Sequence, residues 1–379
     1  MQIALAVNWE RDKERTWSYT PYSLLTALQS RSDIRAYDWN LRPHRLIDDV
    51  YRAININYNP YSKRLTTAYR ASTHYKHRLQ SSLRKHEVQT PVDAIIAIGD
   101  VGSPTNTPQF LYTDCIAHEY KEMLTDLFTR RMFQSVYSER QLDEACRWQE
   151  EILPQQRGIV FMSKSAAEYV RHIPGVQQEN VHIIPPGSNT PAETFEYIPP
   201  RPLERPYILF IGKEFHRKAG TQVVEAFRIL RATTPDIELV IIGPPDYERP
   251  QVLPKGVHWL GFVPREQLPA YFHHAEFLCV PSHVEAFGIV FAEALCYGLP
   301  VIARDCFAMP DIISDGITGY LLPKHSTSAE ELSILMSSAL GNSTMKHEVR
   351  TRMEESRRYY SWTRVADDFI RVITQSTNT

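Results

Sequence analysis

Residues 281–305, "PSHVEAFGIVFAEALCYGLPVIARD", place two carboxylates, Glu285 and Glu293, eight positions apart around an apolar run that stops at Gly298 before Pro300. The preceding "FLCVPS" (277–282) has the length and apolar character of a buried strand, and "PVIARD" (300–305) is another. A helix is predicted to start near Phe287-Gly288 and to end at Gly298, because a glycine commonly follows a last helical turn and proline cannot continue one. Glu285 then lies in the loop before the helix and Glu293 in its second turn. Free backbone N–H groups at a helix N-terminus attract anions, and glycine lets a ligand approach the backbone closely. The competing reading makes Glu285 a complement to the helix dipole and Glu293 a solvent-facing charge. Against it, Glu293 sits among Phe291, Ala292, Ala294 and Leu295, where a carboxylate needs a partner.

This strand–helix–strand unit is one of many. In the first half, "QIALAVN" (2–8), "DAIIAIG" (93–99), "QFLYTD" (109–114), "GIVFMS" (158–163) and "VHIIPPG" (181–187) read as strands between helical segments. The pattern resumes with "YILFIG" (207–212), "IELVIIG" (237–243) and "VHWLGFV" (257–263). Alternation of this kind predicts parallel sheets covered by helices on both faces, with ligands at the carboxyl ends of the strands. Between the halves, "YIPPRPLERP" (197–206) packs four prolines into ten residues, unsuited to a helix or central strand. The expected organisation is therefore α/β: two Rossmann-like domains facing across a cleft, 1–197 and 207–355, joined by a linker at 198–206. An amphipathic helix at about 361–375 is free to pack back on either half.

Composition sets bounds on function. The 379 residues are too many for one typical core, and 43% apolar with 23% charged residues is a soluble globular balance. A net charge of -2 excludes a chain that is basic overall, yet residues 41–90 hold ten Lys/Arg against three Asp/Glu. Within them, 61–85 mixes basic residues with Tyr61, Tyr69 and Tyr75, either a solvated face or a contact for an anionic membrane surface, a lipid diphosphate or a nucleic acid. Five cysteines without a CxxC pair read as reduced thiols of a cytoplasmic protein. The N-terminus reads as a strand and not a signal peptide, and no apolar run is long enough to span a membrane. Asp-x-Asp is absent; Asp48-Asp49 and Asp367-Asp368 fall on predicted helix faces, so no metal site is expected.

Read in order, residues 207–323 resemble the donor-binding half of family-4 retaining glycosyltransferases. The carriers are "ILFIGKEFHRKAGTQVVEAF", "VHWLGFVPREQLPAYFHHAEFLCVPS" and the Glu-x7-Glu run followed by Ala294-Leu295, Gly298 and Pro300-Val301. The resemblance implies the glycosyltransferase-B architecture and metal-independent transfer of a hexose from a UDP- or GDP-sugar to an acceptor hydroxyl, with no cofactor. It implies that Glu293 holds the ribose hydroxyls and Glu285 the donor sugar, and that backbone around Ala286, Phe287, Gly288 and Ile289 meets sugar and phosphates. Lys213 and Lys218, assisted by Arg217 and bordered by Gly212, would bind the diphosphate, whose charge grows as it leaves. Two positions depart from the family pattern: Ala286 stands for the usual glycine and Asp311 for the usual glutamate.

The first half resembles the family more loosely. Asp114 or His118, near the end of "LYTDCIAHEY", is the expected polar group beside the reacting centre. Ser18 and Thr20, in "ERTWSYTPYSLL", occupy a loop where the family commonly has glycines, on the acceptor or phosphate side. The acceptor itself is open: a glycan, a lipid-linked glycan or a nucleic acid. The alternatives are a non-catalytic nucleotide-sugar-binding protein and an epimerase or phosphorylase using the same donor cleft.

Overall fold

A computed structural model describes residues 1–42, 45–59, 64–67, 69, 72–99, 101, 105–123, 139–190 and 192–377. The chain divides into two compact units, Met1–Gly187 with Ser361–Thr379, and Ser188–Tyr360.

The first unit is built on a six-stranded parallel sheet of β1 (Gln2–Val7), β2 (Arg35–Asn40), β5 (Ala94–Ile98), β6 (Gln109–Thr113), β7 (Gly158–Phe161) and β8 (Val181–Ile183), ordered β2-β1-β5-β6-β7-β8. A separate antiparallel hairpin, β3 (Ile56–Asn59) and β4 (Arg64–Thr67), interrupts the alternation after helix Arg45–Ile54. Strands β5 and β6 are buried throughout, as expected of central parallel strands covered on both faces. Helix Trp362–Thr377 belongs here. Arg157 donates to the Ser376 carbonyl, Arg31 pairs with Asp367, and Trp362 occupies the space a side chain at Gly187 would need.

The second unit repeats the plan with β9 (Tyr207–Ile211), β10 (Glu238–Ile242), β11 (Val257–Gly261), β12 (Leu278–Cys279), β13 (Val301–Arg304) and β14 (Gly319–Leu322), ordered β11-β10-β9-β12-β13-β14. All its pairings are parallel, and the strand order reverses between β9 and β12. That reversal leaves a crevice at the carboxyl ends of the two strands, where their connections depart in opposite directions.

The proline run at 197–206 does not mark the boundary, which falls ten residues earlier. Residues before it are already tied to the second unit: Ser188 N–H donates to the Tyr360 carbonyl and Thr194 meets the Tyr297 hydroxyl at 3.2 Å. His274 hydrogen-bonds the Pro199 carbonyl within the run itself. The unit also continues past 355 to Tyr360. Strands β2, β14 and the hairpin were not foreseen, because β2 ("RAYDWN") is largely polar and partly exposed, the hairpin strands ("INYN" and "RLTT") are only four residues each, and β14 is a four-residue edge.

Candidate functional site

Strand β9 ends at Ile211, and the chain turns tightly through 212–219 before helix Gly220–Thr233. Lys218 N–H donates to the Glu214 carbonyl and Gly220 N–H to that of Phe215, which folds the Lys218 side chain back over the strand end. A β-carbon at Gly212 would lie 1.9 Å from Lys218 Cδ, so glycine there is what lets the lysine cross. Gly212→Ala is therefore expected to displace the ammonium from Glu285 while leaving the sheet intact, a lower denaturation midpoint with a circular-dichroism spectrum unchanged from that of the parent.

From the neighbouring strand comes Glu285. Its carboxylate accepts from Lys218 Nζ at 2.5 Å and from Ser282 Oγ at 3.3 Å, and Arg217 lies 3.6 Å away. Arg217 is itself anchored on the Val284 carbonyl and on Glu214. Burial alone would push the Glu285 carboxyl up, but Lys218 and then Arg217 outweigh it and hold the group below its ordinary value. Lys218, 8% exposed, and Glu285 thus form a nearly dry ion pair between residues 67 positions apart. Lys213 stands exposed at the mouth of the same turn.

Helix Ile289–Cys296 follows, with Gly288 in the left-handed region (φ 77°) as its first flanking residue. A β-carbon there would meet the Phe291 ring at 2.5 Å and Glu285 Cγ at 2.9 Å, so both conformation and space require glycine. Phe287 is buried, whereas Ala286 and Ile289 are partly accessible. One turn into the helix, Glu293 is held among apolar neighbours; burial pushes its carboxyl up to about 7, against the opposing pull of Arg265, a hydrogen bond from the Asn189 backbone and Lys218. Glu285 and Glu293 are therefore chemically distinct, one ionised and paired, the other poised near neutrality.

Sequence reasoning missed Arg304. Although 1% exposed, at the end of β13, it donates to the carbonyls of Pro281 (3.1 Å), Lys324 (3.2 Å) and Ser326 (2.6 Å) and to Gln222 Oε1 (2.9 Å). It thereby fixes the start of the loop that carries Glu285. The only signal was an arginine inside an otherwise apolar strand. Lysine has no planar fork to reach these acceptors, so Arg304→Lys is expected to cost about 3 kcal/mol, read as a fall in the denaturation midpoint.

In the first unit, Trp17, Ser18 and Tyr19 all adopt positive φ (43°, 55° and 68°), a left-handed turn where the resembled family places glycines. Thr20 is buried and opens helix Thr20–Gln29 with Pro21 in its first turn, and Trp17 packs edge-on to Tyr112 at 6.3 Å. Asp114 stands just beyond β6, accepting from Cys115 Sγ at 3.3 Å. His118 lies on helix Ala117–Met123 and bonds Glu150 at 2.9 Å. Parts of the basic segment, including Tyr61, lie outside the described residues. All five cysteines are free, and among the described residues no cluster of three metal-ligating side chains occurs. No described helix is long and apolar enough to cross a membrane.

The elements carrying Lys218, Glu285 and Glu293 coincide with a known family. Residues 193–358 match the family of glycosyl transferases group 1. That match spans nearly the whole of the second unit, Ser188–Tyr360. A D-inositol 3-phosphate glycosyltransferase of Jonesia denitrificans is 28% identical over 254 residues, 59% of this chain and 58% of the relative. A phosphatidyl-myo-inositol mannosyltransferase of Mycobacterium leprae is 30% identical over 171 residues, 44% of this chain and 45% of the relative. The chain thus spans between about two-fifths and three-fifths of the length of these relatives. Over the whole fold, the sucrose-phosphate synthase of Thermosynechococcus elongatus superposes with a TM-score of 0.69 at 17% identity, covering 99% of this chain and 98% of that one. The paired six-stranded sheets are accordingly the glycosyltransferase-B architecture.

Proposed function

We propose that the protein is a retaining, metal-independent glycosyltransferase that moves a hexose from a UDP- or GDP-sugar to an acceptor hydroxyl. The observation that carries this reading is the Lys218–Glu285 pair at the strand-order reversal of the unit that matches glycosyl transferases group 1, with Glu293 on the adjoining helix. In this reading Lys218, Arg217 and Lys213 take the diphosphate, Glu285 the sugar hydroxyls and Glu293 the ribose. In the first unit Asp114 and His118 are the two candidate polar groups, held in the ligand-free chain by Cys115 and Glu150 respectively.

The acceptor oxygen forms a bond to the anomeric carbon on the face from which the diphosphate departs. The carbon–oxygen bond to phosphate breaks, its electron pair stays on the diphosphate, and a phosphate oxygen takes the acceptor's proton. The fixed cations stabilise that growing charge, which is where preorganised electrostatics contributes most. A divalent ion would serve the same purpose elsewhere; here the side-chain cations do.

Incubation with radiolabelled nucleotide sugars tests the reading. Slow donor hydrolysis without acceptor, undiminished in EDTA, is expected. Donor binding without any turnover would favour a non-catalytic binding protein, and loss of activity on chelation with rescue by manganese would contradict the metal-independent reading. Both curated relatives are named for inositol-containing acceptors, so inositol phosphate and phosphatidylinositol are the first acceptors to screen.

A further inference from the structure

A cavity of about 240 Å³ lies wholly within the second unit, at the end of its sheet opposite Lys218 and Glu285. Glu276 on its wall leads into β12 and Pro300 leads into β13, so it opens at the amino ends of these strands. Helix Ile289–Cys296 connects the two ends: Glu293 stands on it, and Tyr297 and Gly298, just beyond its last turn, line the cavity. A drug-sized ligand needs about 300 Å³ or more, which restricts the occupant to a smaller molecule.

The wall carries three permanent cations, Arg201, Lys346 and Arg350, against one carboxylate, Glu276. Lys346 Nζ and Glu276 pair at 2.6 Å and cancel. Arg201 and Arg350 are exposed, and among the described residues neither forms an ion pair, so the cavity is lined by an excess of two positive charges. Both arginines have a fixed mount. Arg201 sits between Pro200 and Pro202, and a residue before proline is confined to extended backbone. His274 donates to the Pro199 carbonyl at 2.7 Å and pins the run beside the cavity. The Arg350 stem occupies the space that a side chain at Gly298 would need, its Cα and Cγ each 3.2 Å from a β-carbon placed there. The C-terminal end of a helix ordinarily repels an anion. Here the last carbonyls are already engaged: Arg357 donates to that of Cys296 at 2.9 Å, and the Tyr297, Gly298 and Leu299 N–H groups donate to those of Glu293, Leu295 and Ala294.

We propose that this cavity binds a phosphate group, free or esterified to a small molecule, between Arg201 and Arg350. Such a group carries about -1.5 to -2 charges at neutral pH, which matches the two unpaired guanidinium groups, and the planar fork of arginine can hydrogen-bond two of its oxygens at once. The proline run then serves as a stiff mount for Arg201.

The proposal does not depend on the transfer reaction, because binding is read without turnover. Equilibrium dialysis of the full chain against radiolabelled inorganic phosphate, with ionic strength held constant by chloride, tests it. Saturable binding is expected in the parent and is expected to persist in Lys218→Ala, which disables the diphosphate position at the other end of the sheet. Adding Arg201→Gln and Arg350→Gln to Lys218→Ala is expected to weaken binding at least about tenfold without a further change in thermal midpoint, because both arginines are exposed. Absence of saturable binding in the parent, its loss in Lys218→Ala alone, or undiminished binding in the triple variant would each overturn the proposal. Displacement of the bound phosphate by glycerol 3-phosphate would show that an ester enters, and its absence would confine the site to the free ion; either upholds a phosphate site.

Discussion

Lys218→Ala is expected to lower kcat/KM for sugar transfer by about 10²- to 10³-fold, the scale of removing one preorganised charge from a developing anion. Most of the loss should fall on kcat, because the diphosphate gains its charge in the transition state and not in the bound donor. The same substitution removes the closer of the two cations facing Glu285, leaving Arg217 at 3.6 Å and Ser282. Breaking a buried pair from one side commonly costs about 3–5 kcal/mol, and the remaining partners place this case at about 2–3 kcal/mol. Its pH dependence follows from the direction of the Glu285 shift. A carboxyl held below its ordinary value of 4.5 contributes stability that is present above that pH and lost as pH falls through the folded-state value. The difference in unfolding midpoint between parent and variant should thus be widest near pH 7 and close in acid. Lys218→Arg separates the two roles: it keeps the charge but not the fit over Gly212, so stability should recover more than rate. Full activity in Lys218→Ala would remove the diphosphate assignment.

Much of this site could be read from residue order, and what could not has definable causes. Glu285, Gly288, Glu293 and Gly298 lie within fourteen residues, where helix start and stop signals act locally, and the helix runs from Ile289 to Cys296 as that pattern suggests. The pairing of Lys218 with Glu285 spans 67 positions and depends on β9 lying beside β12, which periodicity does not specify. Arg304 escaped for a related reason. Its acceptors are backbone carbonyls and one amide from three distant segments, and carbonyls carry no side-chain identity to read. The unit boundary was displaced because prolines report local chain stiffness, whereas Ser188 and Thr194 are claimed by tertiary hydrogen bonds to Tyr360 and Tyr297. The left-handed turn at Trp17–Tyr19 was invisible for the opposite reason: glycine would have announced it, and none of its residues is glycine.

Glu293→Gln is expected to weaken donor binding by about tenfold or more while making the ligand-free protein more stable. The ribose reading needs an ionised acceptor, and hydrogen bonds to charged groups contribute about 1.5–3 kcal/mol against about 1 for neutral ones. Burial holds this carboxyl at about 7, well above the ordinary 4.5, so ionising it within the fold is unfavourable. The sign is then opposite to that of Glu285. A raised carboxyl imposes no penalty below its unfolded value; the penalty grows as pH rises through the folded value and is complete above it. The full difference corresponds to about 3 kcal/mol, and partial solvent contact of the side chain brings it to about 2 kcal/mol. Glutamine keeps the shape and removes the charge, so its stabilising effect should be absent at pH 4, appear between pH 5 and 7 and level off near pH 8 in thermal unfolding. Donor affinity of the parent should fall as pH drops below 7, and the variant's should not follow that profile. A variant that bound donor like the parent at pH 8 would remove the ribose assignment, and one less stable than the parent at pH 8 would show that Glu293 serves the fold instead of the ligand.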